Sequence, residues 1–308
     1  MSGHRPEIAR AIRFIGENLE RPLTVAEVAR AAHLSEYHLH RVFHAEVGES
    51  VGRFVTRRRL EIAALRLAYE PERPITDVAL SSGYSSPSNF SKAFSGFFGC
   101  SPTRVREPAP GLPPSVGKLT ALHGKDFRPE DLYALPPESG MEERQILARQ
   151  WEQRVRYETV AERPVACLAA PGGYDVEAIE RTWTTLIQRA EQLGLVAGPV
   201  DAWGVAYDSP QLTAPEQCRY HACIPCPAGT KLPAPLFAGA MPAGRYAIFR
   251  YQGAASGVAD AYREIYSCWF RDSSLSPEDY APFDHYVADF PRDGQIELEM
   301  WLRVRARG

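Results

Sequence analysis

Gly83-Tyr84-Ser85-Ser86-Pro87-Ser88-Asn89-Phe90-Ser91-Lys92-Ala93-Phe94 is the stretch on which the fold of the first third of the chain turns. A glycine at 83 suits a tight turn, and Ser86 carries a hydroxyl that can cap a helix N-terminus. Downstream, Phe90, Ala93, Phe94 and Phe97 recur at helical spacing and mark a buried face, leaving Ser88, Asn89, Lys92 and Ser95 outside. The pattern occurs twice, about 51 residues apart: Leu39-His40-Arg41-Val42-Phe43 precedes Gly48 as Phe90-Ser91-Lys92-Ala93-Phe94 precedes Gly99. In the first copy Thr24 and Glu27 make a capping box, with Leu23 and Val28 as its hydrophobic staple. Ile75 and Leu80 are expected to staple the second copy. Ser35 takes the capping place of Ser86. His33 takes the place of Gly83, which is uncomfortable if the turn needs positive φ. Each copy therefore reads as short helix, tight turn, second helix.

Such a unit presents one helix to a DNA major groove. In the first copy Leu39, Val42 and Phe43 are expected inside, with Glu36, Tyr37, His40, Arg41 and His44 outside. Arg, Asn and Lys bond to base edges, and Ser, His and Tyr reach bases or phosphates. A long helix over 51–69 would hold the two units rigidly, so that both enter successive grooves of one DNA face. Arg57-Arg58-Arg59 on it could meet phosphates. The competing reading is a plain helical bundle with solvated polar faces; two copies joined by a helix argue against it.

Residues 6–106 resemble the DNA-binding domain of the AraC family of bacterial transcription regulators. The stretch quoted above, with Phe98-Gly99-Cys100-Ser101-Pro102 and Arg106, is close to that family's signature. The resemblance implies that Tyr37, His40 and Arg41 read DNA from the first recognition helix, and Ser88, Asn89 and Lys92 from the second. It also implies double-stranded DNA as partner, bound by a monomer or a weak homodimer.

The 308 residues suggest two domains. Residues 1–107 hold 15 Lys and Arg against 12 Asp and Glu, whereas residues 108–308 hold 20 against 26. Seven of the 26 prolines fall within 108–137, which reads as a linker. The boundaries are therefore 1–107, a Pro-rich linker over 108–149, and 150–308. No stretch is apolar enough to span a membrane, and the N-terminus lacks a secretory h-region. Six scattered cysteines do not make a disulfide framework, so a cytoplasmic location is expected.

The remainder reads as an α+β domain. Strands are expected over 155–160, 164–169, 202–207, 219–224, 245–251, 283–288 and 296–304, with helices over 175–193 and 256–271. Ala206-Tyr207-Asp208-Ser209-Pro210 is echoed by Val287-Ala288-Asp289-Phe290-Pro291. The domain is thus expected to be two duplicated strand-helix-strand-strand halves around a ligand cleft. Period two places Glu297, Glu299 and Trp301 on one face of the last strand. Aromatic walls around a carboxylate suit an organic cation, with Trp203, Tyr207, Tyr246, Tyr286 and Trp183 as candidate walls. The alternative is that Glu297 and Glu299 sit on a solvated face, paired with Arg303 or Arg305.

Residues 150–308 resemble the GyrI-like effector-binding fold, also known as the Rob C-terminal or BmrR-type multidrug-binding domain. The carrying motifs are Ala202–Asp208, Cys218–Pro225, Gly244–Gly253 and Phe283–Tyr286. The resemblance makes Glu299 the pocket glutamate, although Glu299-Met300-Trp301-Leu302-Arg303 departs from the family's usual Glu-Ile-Tyr-hydrophobic-Pro ending. It implies a small-molecule effector, cationic or aromatic.

Cys218, His221, Cys223 and Cys226 resemble a zinc set only in composition. On a strand His221 and Cys223 share a face while Cys218 points the other way, so no metal is expected. Thiol sensing by Cys223 and Cys226 is a further possibility, and Cys100, Cys167 and Cys268 read as buried small hydrophobes. No phosphate loop or nucleophile elbow is present, so no cofactor and no catalytic residue are expected. The expectation is a one-component regulator, not an enzyme. Two alternatives remain for the C-terminal domain. One is a protein-contact module for RNA polymerase or gyrase. The other is a hydrolase using Glu299, its pKa raised, as general base.

Overall fold

The computed structural model describes residues 6–70, 72–106, 141–196, 198, 200–208, 213, 218–278, 281–287 and 295–307. The 108–137 linker reading and most of the Val287–Pro291 echo lie outside them. The chain divides into two compact units, one essentially within 7–138 and the other essentially within 139–308.

The first unit is helical: α1 (Pro6–Glu17), α2 (Val25–Ala31), α3 (Glu36–Val47), α4 (Val51–Tyr69), α5 (Ile75–Ser81), α6 (Pro87–Phe98) and α7 (Pro102–Arg106). The starts of α2, α3, α4 and α6 are set by side-chain caps. Thr24 and Glu27 form the reciprocal box, and the hydroxyls of Ser35, Ser50 and Ser86 accept from the N–H groups of His38, Arg53 and Asn89. The two turns are built alike. His33 (φ 57°) and Gly83 (φ 76°) both lie in the left-handed region. The next N–H, on Leu34 or Tyr84, reaches back to the carbonyl of Ala29 (2.9 Å) or Ala79 (3.2 Å), closing the helix end. The second turn then has one more residue before its cap, Ser86, than the first has before Ser35. α3 and α6 both end on left-handed glycines, Gly48 and Gly99.

Ile8, Ile12, Ile15, Val28, Leu39, Phe43 and Phe54 meet in one core, with Leu23 packed against it. In the second copy Phe90, Phe94 and Phe98 stack along α6, with centroids 5.4 and 4.5 Å apart. Phe98, not Phe97, completes this buried stripe, and Ala93 is only half-buried. The expected Ile75–Leu80 staple is absent, because Leu80 is exposed; Pro74 occupies the cap position of α5 without a side-chain bond.

The second unit begins with α8 (Met141–Glu152), which crosses the 149/150 boundary read from the sequence. Trp151 on it is buried in the core, and its indole Nε1 donates to Glu264 (2.9 Å). Then follow β1 (Val155–Val160), β2 (Arg163–Ala169), α9 (Val176–Gln192), β3 (Ala202–Ala206), β4 (Tyr220–Pro225), β5 (Phe237–Met241) and β6 (Gly244–Ala254). Next come α10 (Val258–Glu264), extended by a π-turn over Ile265–Trp269 and a last α-turn over Phe270–Asp272, then β7 (Leu275–Pro277), β8 (Phe283–Tyr286) and β9 (Gln295–Ala306).

The strands form one antiparallel sheet in the order β1-β6-β9-β8-β3-β4-β2-β5, with β7 on β9. From the central β3·β8 pair the order outward is the same on both sides. β3 is followed by β4, β2 and β5, and β8 by β9, β6 and β1. α9 packs through Trp183 and Leu186 on Ala166, Leu168, Ala222 and Ile224. α10 and its π-turn pack through Ile265 and Trp269 on Phe249, Met300 and Leu302. By strand alternation all these sheet positions lie on one face, so both helices cover the same side.

Candidate functional site

Two sites were expected, and each is built within its own unit. On α3 the residues Leu39, Val42 and Phe43 are buried, while Tyr37, His40, Arg41 and His44 are exposed; Tyr37 is 78% exposed. On α6 Ser88, Asn89 and Lys92 are exposed. Both helices therefore offer a polar outer face opposite a packed inner one.

α4 holds them with buried arginines rather than offering those arginines to phosphate. Arg57 bonds Glu49 through Nε and Nη2 (2.9 and 2.6 Å) and Glu61 through Nη1 (2.9 Å). Arg58 takes the other oxygen of Glu61 (2.9 Å). Arg59 donates to the carbonyls of Leu19 and Arg21 (2.9 and 2.6 Å), closing the loop after α1. Arg66 donates to the Ser81 carbonyl at the end of α5 (2.7 Å) and to Glu20 (2.8 Å). The expectation that Arg57-Arg58-Arg59 meets phosphate is thus overturned. Three or more intramolecular bonds absorb Arg57, and the other two guanidinium groups satisfy a carboxylate and helix-end carbonyls.

In the sheet unit Glu299 lies on the face away from the helices. Its Oε2 accepts from Arg156 Nη2 (2.8 Å) and Trp301 Nε1 (3.2 Å), with His285 Nδ1 3.5 Å away. His285 stands opposite Glu299 in the β8·β9 register and stacks on Trp203 (centroids 4.2 Å, 14° between planes). Asp201 Oδ1 binds both rings, at 2.8 Å from Trp203 Nε1 and 2.8 Å from His285 Nε2. Trp301 meets Trp203 edge-on at 5.1 Å and Tyr246 at 5.7 Å. Glu299, Trp203, Trp301 and Tyr246 are thus brought together. Burial pushes the Glu299 carboxyl up, but the bonds from Arg156, Trp301 and His285 outweigh it and hold the pKa below the ordinary value.

Tyr207 lies further along that side, against His221 (4.6 Å) and under Arg219 (5.2 Å). Tyr286 and Trp183 are on the other face, separated from Glu299 by the sheet. There Trp183 Nε1 donates to Tyr220 (3.1 Å), Tyr220 meets Tyr286 (3.1 Å), and Tyr262 donates to Asp284 (2.5 Å). Gly204 makes room for these rings, since a Cβ there would stand 2.3 Å from the Tyr220 hydroxyl. Burial raises the Asp284 carboxyl to about 7, against the lowering bond from Tyr262. Strand alternation in the quoted Phe283–Tyr286 motif could have separated His285 from Tyr286; the roles of Arg156 and Asp201 carried no such signal.

Glu299 and Glu297 also do not pair with Arg303 or Arg305 as the solvated-face alternative required. Arg250 bonds Glu297, and Arg303 forms an ion pair with Glu278 (2.8 Å). The raised pKa that a hydrolase would need on Glu299 is found instead on Asp284, across the sheet. Cys100, Cys167 and Cys268 are buried, and Cys223 lies 3.1 Å from Cys167, its partner in the β2·β4 register. Among the described residues no group of three or more His, Cys, Asp and Glu is placed to hold a metal ion. No helix among them is long and apolar enough to cross a membrane.

Residues 153–305 match the family model of the GyrI-like small molecule binding domain, and residues 28–108 match a helix-turn-helix domain. The regulatory protein SoxS of Salmonella typhimurium is 34% identical over 103 residues, which are 33% of this chain and 95% of SoxS. The C-terminal domain of AraT, a response regulator from Geobacillus stearothermophilus, is 31% identical, with a TM-score of 0.33, covering 35% of this chain and 90% of that one. A hydrolase from Listeria innocua is 10% identical, with a TM-score of 0.39, covering 49% of this chain and 92% of that one. A helix-turn-helix domain joined to a small-molecule domain defines a transcription regulator that carries its own ligand-binding domain. This chain belongs to the AraC family of such regulators, with a GyrI-like domain at its C-terminal end.

Proposed function

We propose that this chain is a one-component transcription regulator that reads a specific promoter sequence through α3 and α6 and senses a cationic aromatic molecule through Glu299. Tyr37, His40 and Arg41 are the readers on α3, and Ser88, Asn89 and Lys92 those on α6. The observation that carries the DNA reading is the pair of exposed polar helix faces, each backed by its own packed core. The ligand reading is carried by an ionised carboxylate set among Trp203, Tyr246 and Trp301, the arrangement that attracts an organic cation. Tyr207 extends that wall. Tyr286 and Trp183 belong to the opposite face and are not part of it. The outward symmetry of the strand order about β3·β8 supports two duplicated halves, with the ligand seated where they meet.

The test has two arms on the full chain. Selection from random duplexes yields the operator, and its affinity is then measured for Arg41→Ala and Lys92→Ala. Thermal shift against organic cations and aromatic anions is measured for wild type and Glu299→Gln. Stabilisation by cations that vanishes in Glu299→Gln supports the sensor. A second reading is favoured by the burial of Trp203, Tyr246 and Trp301 and their packing on one another. The C-terminal domain would then be a contact module for RNA polymerase, and no small molecule would shift its melting.

A further inference from the structure

The guanidinium of Arg156 makes the two contacts that a cationic ligand of Glu299 would make. Its Nη2 bonds the Glu299 carboxylate at 2.8 Å, and its Cζ lies 5.4 Å from the centroid of the Trp301 ring. The register explains the reach. Arg156 stands opposite Ile248, and Ile248 stands opposite Trp301, so the side chain crosses one strand to arrive over the ring. We infer that Arg156 is a built-in competitor for the cationic ligand, a latch that must leave Glu299 before an external cation binds. This rests on the reading of Glu299 as the ligand carboxylate.

Three features make the exchange feasible. β1 is the edge strand of the sheet, and the Arg156 side chain is 45% exposed, so it swings without opening the core. Its Nη1 already bonds Glu158 on the same strand, which keeps one carboxylate partner when Glu299 is surrendered. The rings beneath are fixed: Trp203, Tyr246 and Trp301 are buried and packed on one another. The latch also sets selectivity. A small ammonium ion offers Glu299 less than the guanidinium it must displace. A large lipophilic cation adds aromatic contact and wins.

The experiment uses the full chain and tetraphenylphosphonium, titrated by calorimetry, in wild type, Arg156→Gln, Glu299→Gln and the double variant. Removing the latch is expected to tighten binding about five- to tenfold, the scale of a partly exposed charge-assisted pair. Glu299→Gln should abolish binding in either background. Arg156→Lys, which keeps the charge and loses the fork, should fall between and guards against a folding artefact. Binding that needs Glu299 and ignores Arg156 overturns the latch and leaves the ligand reading standing. The absence of Glu299-dependent binding in both wild type and Arg156→Gln overturns both, since the freed carboxylate would then attract no cation.

Discussion

Single residues carry four consequences. His33 is the one non-glycine residue at positive φ among those described, at 57°. Relief of that conformation should make His33→Gly more stable by about 0.5–1 kcal/mol, read as a higher denaturant midpoint. Gly83→Ala should lose roughly 1–3 kcal/mol. Beyond its φ of 76°, a Cβ there would stand 2.4 Å from the Leu19 carbonyl and 2.7 Å from the Arg59 guanidinium. The two matching turns thus respond in opposite directions, and equal responses would refute their equivalence. Arg57 joins two buried carboxylates, so Arg57→Ala should lose about 3–5 kcal/mol by taking from Glu49 its guanidinium partner and leaving Glu61 with Arg58. If Arg57 met phosphate instead, the variant would keep its stability and bind DNA with a shallower salt slope.

Asp284 supplies a pH dependence. Its carboxyl is raised from 3.8 to about 7 by burial, so the folded state holds a proton that the unfolded chain has released. Its contribution to stability is therefore full below about pH 4 and is lost as pH rises through about 7. The loss is on the order of 4 kcal/mol. Asp284→Asn keeps an acceptor for Tyr262 and should flatten this decline, leaving a variant more stable than wild type at pH 8. All five tryptophans lie between 151 and 301, so their fluorescence during denaturation follows the C-terminal unit. A wild-type-like decline between about pH 4 and 7 in Asp284→Asn would exclude this carboxyl as its source.

At the scale of elements, local chemistry was legible and neighbourhood was not. The capping residues announced where α2, α3 and α6 begin, and repeat spacing announced that α3 and α6 are equivalent. The outward faces followed from 3.6-residue periodicity alone. The strands with β-branched or aromatic runs were also visible. β5 (Phe-Ala-Gly-Ala-Met) and β7, three residues long, lack that signal and exist because a neighbour offers an edge. α8 was absorbed into the linker because the proline count dominated its reading, whereas burial of Trp151 against Phe249 decides its place. Glu299 was found by resemblance and by the two-residue period. Its partner Arg156, 143 positions away, is set by the order β1-β6-β9, which no local pattern encodes. The arginine triplet failed for the same reason: exposure was assumed, and Glu49, Glu61, Leu19 and Arg21 had already claimed it.

The two reading helices make their own prediction. Arg41→Ala and Lys92→Ala should each weaken operator binding by about 1–3 kcal/mol. A residue that bonds a base edge loses discrimination at one position of the site. A residue that bonds phosphate weakens all sequences alike and lowers the salt slope by about one. Competition binding against single-base operator variants, at two salt concentrations, separates these outcomes. Unchanged affinity in both variants would remove α3 and α6 from the interface.

For the whole molecule the question is whether the two units share free energy. An effector held within the C-terminal unit changes operator affinity only through its differential affinity for two states of the chain. Linkage then requires reciprocity: if the ligand changes operator affinity by some factor, the operator changes ligand affinity by the same factor. The placement of the tryptophans makes this measurable in one molecule. Ligand titrations are followed by tryptophan fluorescence with and without saturating operator, and operator titrations by DNA anisotropy with and without saturating ligand. Coupling of about 1–3 kcal/mol, a factor of roughly 5–150, is the expected range. Because Arg156 competes with the ligand for Glu299, Arg156→Gln should raise ligand affinity equally in both DNA states and leave the coupling factor unchanged. A coupling factor that changes in Arg156→Gln would place the latch on the route between the two units. A factor of one in wild type, with both partners bound, would mean that the ligand alters what the DNA-bound protein recruits and not where it binds.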